Sequence, residues 1–223
     1  MIKAILFDLD MTLIDFMSMK KVASAKAADA MVKEGLKMRK KDAERQLFKF
    51  YLNVGIESDD AFTKFLKKHK AYSDKVIAVA VNAYHRAKYE YLKPYKGVKK
   101  TLKKLKAKGL KLGIVTDAPR IKAYQRLDTM GILRYFDFVV GFEDTGRAKP
   151  SKLPFRKALK LSKTKPSETL MVGDWPERDI KGAKKLGIKT CWARYGWHAG
   201  KKIKADYEIN KFEELLEVIE NEL

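Results

Sequence analysis

A single cysteine in 223 residues, Cys191, rules out an intramolecular disulfide, so packing alone has to hold the fold. The three histidines, His69, His85 and His198, are widely separated, show no metal-ligand spacing, and read as surface or hydrogen-bonded groups. No apolar stretch approaches the roughly 20 residues needed to cross a bilayer, and no membrane partner is expected. Internal repeats and low-complexity segments are missing too. Met1-Ile2-Lys3 runs directly into an apolar segment with no signal-peptide pattern ahead of it, so the expectation is a soluble cytoplasmic protein. Acidic residues are scarce as well: 28 Asp and Glu face 49 Lys and Arg, a net charge of +21.

Hydrophobic residues make up 46% of the chain, enough for a sizeable core, and the length suits one large domain carrying an insertion. Residues 15–95 read as helical. Val22, Ala25, Ala28 and Met31 recur at near-helical spacing, as do Leu47, Phe48, Tyr51 and Leu52, then Val76, Ala80, Ala83 and Tyr84, and Asp59-Asp60-Ala61-Phe62 looks like a helix start. Lys93-Pro94-Tyr95-Lys96-Gly97 carries turn residues that close the insertion. From there strands and helices alternate: helices over 98–108, 119–130, 155–161, 176–186 and 212–223, and strands ending near Val115, Val140, Gly173, Trp192 and Ile209. That alternation predicts an α/β fold, a doubly wound parallel sheet formed by residues 1–14 and 96–223, with an all-helical domain over 15–95.

The most informative stretch is Phe7-Asp8-Leu9-Asp10-Met11-Thr12-Leu13. Ile5, Leu6 and Phe7 read as a buried parallel strand, and in such sheets chemistry collects beyond the carboxyl ends of strands. Asp8 and Asp10 at that position repel each other unless something compensates, and a divalent metal is the simplest compensation. Three later segments place polar groups in similar contexts: Thr116-Asp117 after one apolar run, Lys149-Pro150 in a loop, and Gly173-Asp174 with Asp179 after another. Brought together, they supply a carboxylate nucleophile, a neighbouring acid or base, a hydroxyl donor, a fixed ammonium and metal-binding carboxylates. Such a set suits phosphoryl transfer.

The ordered set Asp8-x-Asp10-x-Thr12, Thr116, Lys149 and Gly173-Asp174-x-x-x-x-Asp179 resembles the four motifs of the haloacid dehalogenase-like hydrolases, over nearly the whole chain. The resemblance implies a Rossmann-like core with a helical cap inserted after the first motif, and a Mg²⁺-dependent phosphatase working through an aspartyl-phosphate. Asp8 is then the nucleophile and Asp10 the general acid and base, with a backbone carbonyl on the metal. The presence of Asp10 argues against the halide-removing branch. Thr116 and Lys149 bind the phosphoryl group together with the backbone N–H groups of the turn at Asp117 and Ala118, with Arg147 and Lys152 as competitors for the role of Lys149. Asp174 completes the metal ligands with Asp8 and Asp10, and Asp179 holds a metal-bound water or orients Lys149.

Thr12 either caps the following segment or hydrogen-bonds Asp10. Met11 and Asp117 depart from the glycine and asparagine common at those positions. Asp117 falls in the phosphate-binding turn, where its charge is unfavourable, so it is expected to turn away or pair with a nearby Lys or Arg. Asp174 with Pro176 also fits an ordinary helix start. Phe16, Met17 and Met19 could touch substrate beneath the cap or pack its hinge. Trp175 could line the entrance, whereas Trp192 and Trp197 read as packing or loop residues.

The positive charge has two readings. One is a Lys-rich solvated surface on a thermostable enzyme; the other is a nucleic-acid-linked activity, which ranks second because no nucleic-acid motif accompanies the charge. The leading function is hydrolysis of a small phosphate monoester by a monomer or homodimer. A sugar-phosphate phosphomutase, using the same residues, and a polyanion- or nucleic-acid-binding protein on a phosphatase-like scaffold are the alternatives.

Overall fold

The computed structural model describes residues 1–196 and 200–222. The chain divides into two compact units, Met1–Asp15 with Lys93–Leu223, and Phe16–Leu92. The expectations for Trp197 and His198, and the final residue of the helix expected over 212–223, lie outside the described residues.

The first unit is built on six parallel strands: β1 (Ala4–Phe7), β2 (Lys111–Val115), β3 (Phe138–Val140), β4 (Thr169–Gly173), β5 (Lys189–Ala193) and β6 (Tyr207–Ile209). Their spatial order is β3-β2-β1-β4-β5-β6, so the winding reverses between β1 and β4. At such a reversal the connections leave in opposite directions and open a crevice beyond the strand ends. Because side chains alternate across a strand, Leu6 and Phe7 of β1 face opposite layers. Leu6 joins Val115, Val140 and Met171 under Phe155 and Ala158 of α7 (Lys152–Ser162) and Ala183 of α8 (Lys181–Lys184). Phe7 packs against the rings of Phe136 and Phe212. Both faces are thus covered, which explains why the strands read as unbroken apolar runs.

The second unit holds four helices, α1 (Phe16–Lys33), α2 (Lys40–Val54), α3 (Ala61–Lys68) and α4 (Asp74–Tyr91), with α1 packed along α4 and α2. Ser73 starts α4 by accepting the Val76 N–H at 3.2 Å, satisfying one of the otherwise unpaired donors of the first turn. Ala27, Met31, Leu47, Tyr51, Phe62, Phe65, Leu66 and Ala80 form the core of this unit. Beside it Lys20, 4% exposed, donates to the Tyr84 hydroxyl at 2.9 Å and lies 3.9 Å from the centre of the Tyr51 ring. Phe16 and Met19 are buried.

The remaining helices of the first unit are α5 (Val98–Ala107), α6 (Arg120–Thr129) and α9 (Leu215–Glu220). Two expected helices turn out differently. The span 176–186 opens as a wide π turn, Pro176–Ile180, before the short α8, and the span from 212 begins with a 3₁₀ turn ahead of α9. At its start the Trp175 carbonyl accepts from the N–H groups of both Arg178 and Asp179, while Asp179 Oδ2 accepts the Trp175 N–H at 3.0 Å. Among the described residues no helix is long and apolar enough to cross a membrane.

Phe65 is 1% exposed and meets the Phe50 ring edge-on at 5.7 Å. Phe65→Ala is expected to destabilise the protein by about 3–5 kcal/mol through lost burial and the cavity left behind, read as a lowered denaturation midpoint in guanidinium chloride.

Candidate active site

Asp8 follows β1 and Asp174 follows β4, the two strands that flank the reversal of the sheet. β1 and β4 pair in register from Ala4 with Thr169 to Phe7 with Val172, and the Asp8 N–H continues the ladder to the Val172 carbonyl at 2.9 Å. The backbone therefore delivers both carboxylates to one edge before any side chain adds its preference. One carboxylate oxygen from each of Asp8, Asp174 and Asp179 lies within 4.8 Å of the others, and all three residues are buried.

Lys149 is inserted into this acidic group. Its ammonium contacts Asp8 Oδ1 at 2.5 Å and Asp179 Oδ1 at 2.6 Å, with 3% of the side chain exposed. Burial alone would push this ammonium down, but the negative charges of Asp179, Asp8 and Asp117 overcome it and hold it above the ordinary lysine range. Three carboxylates against one ammonium still leave two negative charges in a desolvated space. Burial, then the charges of Asp8 and Asp179, raise Asp174 well above the usual carboxylate range, although the Thr12 hydroxyl and Lys149 act in the other direction. Burial raises Asp179 as well, partly offset by Lys149. A cluster that resists full ionisation, built from hard oxygen ligands, fits a divalent cation as its missing charge.

The other predicted residues fall around this centre. Thr116 directly follows β2 and is buried, its N–H bonded to the Val140 carbonyl and its hydroxyl accepting the Ala118 N–H at 3.1 Å. Asp117 pairs with basic neighbours: Oδ1 accepts the Lys149 backbone N–H at 2.8 Å and Oδ2 lies 3.3 Å from Arg178 Nη1. It holds the segment carrying Lys149. The Arg178 guanidinium in turn stacks 3.9 Å from the centre of the Trp175 ring, which is half-exposed.

Thr12 takes a partner different from both expected ones. Its hydroxyl donates to Asp174 Oδ1 at 3.0 Å and accepts the Asp174 N–H at 3.1 Å. Met11 explains this, since it adopts a left-handed conformation (φ 64°) that turns the chain after Asp10 and aims Thr12 across at the end of β4. Asp10 is held apart from the three-carboxylate group, its Oδ2 accepting from Arg126 Nη1 at 2.6 Å.

Four contributors escaped the sequence reading. The Trp192 indole N–H, expected only to pack, donates to the Asp174 carbonyl at 3.0 Å, and the Tyr195 hydroxyl donates to the Thr12 carbonyl at 2.7 Å. Gly196 presses so closely on the Met11 carbonyl that a Cβ there would come within 1.7 Å of its oxygen. Arg126 is the fourth. The position of Trp192 at the carboxyl end of a predicted strand was a usable signal; nothing distinguished Arg126 among 49 basic residues.

The model of the haloacid dehalogenase-like hydrolases matches residues 5–193, and the chain belongs to this family. Two glyceraldehyde 3-phosphate phosphatases are similar to it throughout: that of Pyrococcus furiosus, 36% identical over 99% of this chain and 94% of the relative, and that of Methanocaldococcus jannaschii, 37% identical over 99% and 98%. A HAD-hydrolase of Bacillus subtilis, solved bound to magnesium, superposes with a TM-score of 0.72 at 25% identity, covering 98% of this chain and 99% of the other. The protein is a phosphoric monoester hydrolase.

Two outcomes follow from the geometry. In metal-free protein, Asp174 and Asp179 bind protons more tightly when folded than when unfolded, so their contribution to stability is fully present below the ordinary carboxylate range and is lost as pH rises through neutrality. Asp174→Asn should flatten that decline and, in chelator at pH 8, exceed the wild type by at least about 1 kcal/mol in urea denaturation. Trp192→Phe keeps an aromatic ring but removes the donor to the Asp174 carbonyl, and is expected to weaken divalent-cation affinity about tenfold, measured by calorimetry.

Proposed function

We propose that the protein is a magnesium-dependent phosphatase that cleaves a small phosphate monoester through an aspartyl-phosphate on Asp8. The observation that carries this reading is the buried arrangement of Asp8, Lys149, Asp179 and Asp174 at the reversal point of the sheet. The carboxylates of Asp8 and Asp174 with the Asp10 carbonyl would hold Mg²⁺, which supplies positive charge beside the phosphoryl oxygens when bound.

The side chains divide the remaining work. An oxygen of Asp8 attacks phosphorus; the bond to the leaving oxygen breaks as Asp10 gives that oxygen a proton, and the alcohol departs. Water then attacks the phosphorus of the aspartyl-phosphate, Asp10 takes up its proton, and Asp8 is regenerated with release of inorganic phosphate. Lys149 stands against Asp8 and compensates the charge that grows on the equatorial oxygens. Thr116, with the N–H groups of the following turn, is the phosphoryl hydrogen-bond donor. Asp179 and Asp117 hold Lys149 at its ammonium and its backbone respectively, and Thr12 orients Asp174.

The substrate class favoured by the near-full-length relatives is a triose phosphate, with glyceraldehyde 3-phosphate as the first compound to test. Phosphate release from it should require Mg²⁺, vanish in chelator and return on adding the metal. Asp8→Asn should lower kcat by about 10³-fold or more while leaving the fold intact by circular dichroism. Turnover that survives this substitution would remove Asp8 from the reaction.

A further inference from the structure

Arg126 lies on α6 and is 2% exposed. A guanidinium stays charged at any accessible pH, so burial to this degree is tolerated only beside an opposite charge. Asp10, 116 residues away in sequence, provides that charge through Oδ2 at 2.6 Å from Nη1. The contact is asymmetric, because the Arg126 side chain is 3% exposed while that of Asp10 keeps 25%. The guanidinium is fixed by the packed interior, and its contact with Oδ2 restrains the rotation of the Asp10 carboxyl.

Resting on the phosphatase reading above, we propose that Arg126 is the positioning residue for proton transfer by Asp10. The guanidinium occupies Oδ2 and sets the plane of the carboxyl, so the proton passes between Oδ1 and the leaving oxygen. Proton transfer demands an approach of about 2.6–3.2 Å between heavy atoms, and a misplacement near 1 Å costs on the order of 10²-fold in rate. The planar fork of an arginine suits this task better than an ammonium, which holds charge without fixing a plane. Arg126 itself touches neither the phosphoryl group nor the attacking oxygen in this scheme; it acts through Asp10.

A role in orienting the proton donor differs from a structural role in its dependence on the leaving group. When the bond to phosphorus breaks, the electron pair passes to the leaving oxygen: p-nitrophenolate carries it without help, whereas phenolate gains much more from the Asp10 proton. The test compares kcat/KM, which reports steps through the first bond cleavage, for p-nitrophenyl phosphate and phenyl phosphate with Mg²⁺ present. Arg126→Met should lower the phenyl phosphate value about 10²-fold and the p-nitrophenyl phosphate value less than about fivefold. Arg126→Lys, which keeps the buried charge, should fall between wild type and Arg126→Met, and it carries the comparison if the methionine variant melts below the assay temperature. In an Asp10→Asn background, neither Arg126 substitution should add further discrimination between the two esters.

Equal losses on both esters, or discrimination that persists without the Asp10 carboxyl, would overturn the positioning role. A wild-type protein that releases phosphate from neither ester, nor from glyceraldehyde 3-phosphate, would instead overturn the phosphatase reading beneath it.

Discussion

The ammonium of Lys149 between Asp8 and Asp179 is the contact on which the site depends. Taking an ion out of water costs several kcal/mol even after the surroundings relax, and this cluster buries four ionisable groups. Without the lysine, three carboxylates would face one another across less than 5 Å with no compensating charge. Much of the surrounding structure serves that ammonium. The π turn after Trp175 brings Asp179 back beneath the end of β4, and Gly173 leaves it room, since a Cβ there would sit 2.4 Å from the Asp179 carboxyl carbon. Asp117 fixes the Lys149 backbone from the neighbouring strand end. The lysine offsets only part of the negative charge, which leaves a place for a divalent cation without forcing the site apart in its absence.

The surface electrostatics follow a different rule. Acidic side chains there are shared between bases: Asp29 meets both Lys33 and Lys40, and Asp42 meets both Arg39 and Arg45. Exposed pairs of this kind contribute about 0–1 kcal/mol each and weaken with salt. Sharing acids in this way pairs bases without cancelling their charge, and the net charge of +21 remains as an excess of bases over acids. A field of that sign favours encounter with anions of every kind, phosphate monoesters included, so it aids association without specifying the substrate.

The clustering at the candidate site was legible in the sequence because its members announce themselves locally. Asp8, Thr116 and Asp174 each end or follow an apolar run, and a parallel sheet turns that local context into a shared edge. Lys149 could be singled out among many lysines only through its order in the chain and Pro150. The supporting contacts were not legible in the same way. Thr12 to Asp174, Tyr195 to Thr12 and Arg126 to Asp10 join residues 162, 183 and 116 positions apart, and each pairing depends on where a side chain points after folding. Met11 illustrates the limit. Its departure from glycine could be read, but that a non-glycine residue would accept φ 64° and thereby redirect Thr12 is a property of the folded turn. The helix expected over 176–186 is present but opens as a π turn, and the Asp179 side chain that accepts the Trp175 N–H there is a pairing four residues apart that helical periodicity does not specify.

The two aspartates of the first motif receive separate cations from separate elements, and this separation supports the different roles proposed for them. Placed two residues apart with nothing between them, they would repel and share a proton, as paired carboxylates do. Here Lys149 takes Asp8 from the loop before α7, while Arg126 takes Asp10 from α6. The choice of cation matches the demand on each partner. A nucleophile needs compensating charge but must keep an oxygen free to move toward phosphorus, and a compact ammonium on a flexible stem allows that. A proton carrier needs a fixed plane, which a buried guanidinium provides. The two side chains of a short Asp-x-Asp segment are thus set in different environments by what the distant chain packs against each of them, which is what the proposed division of labour between nucleophile and proton carrier requires.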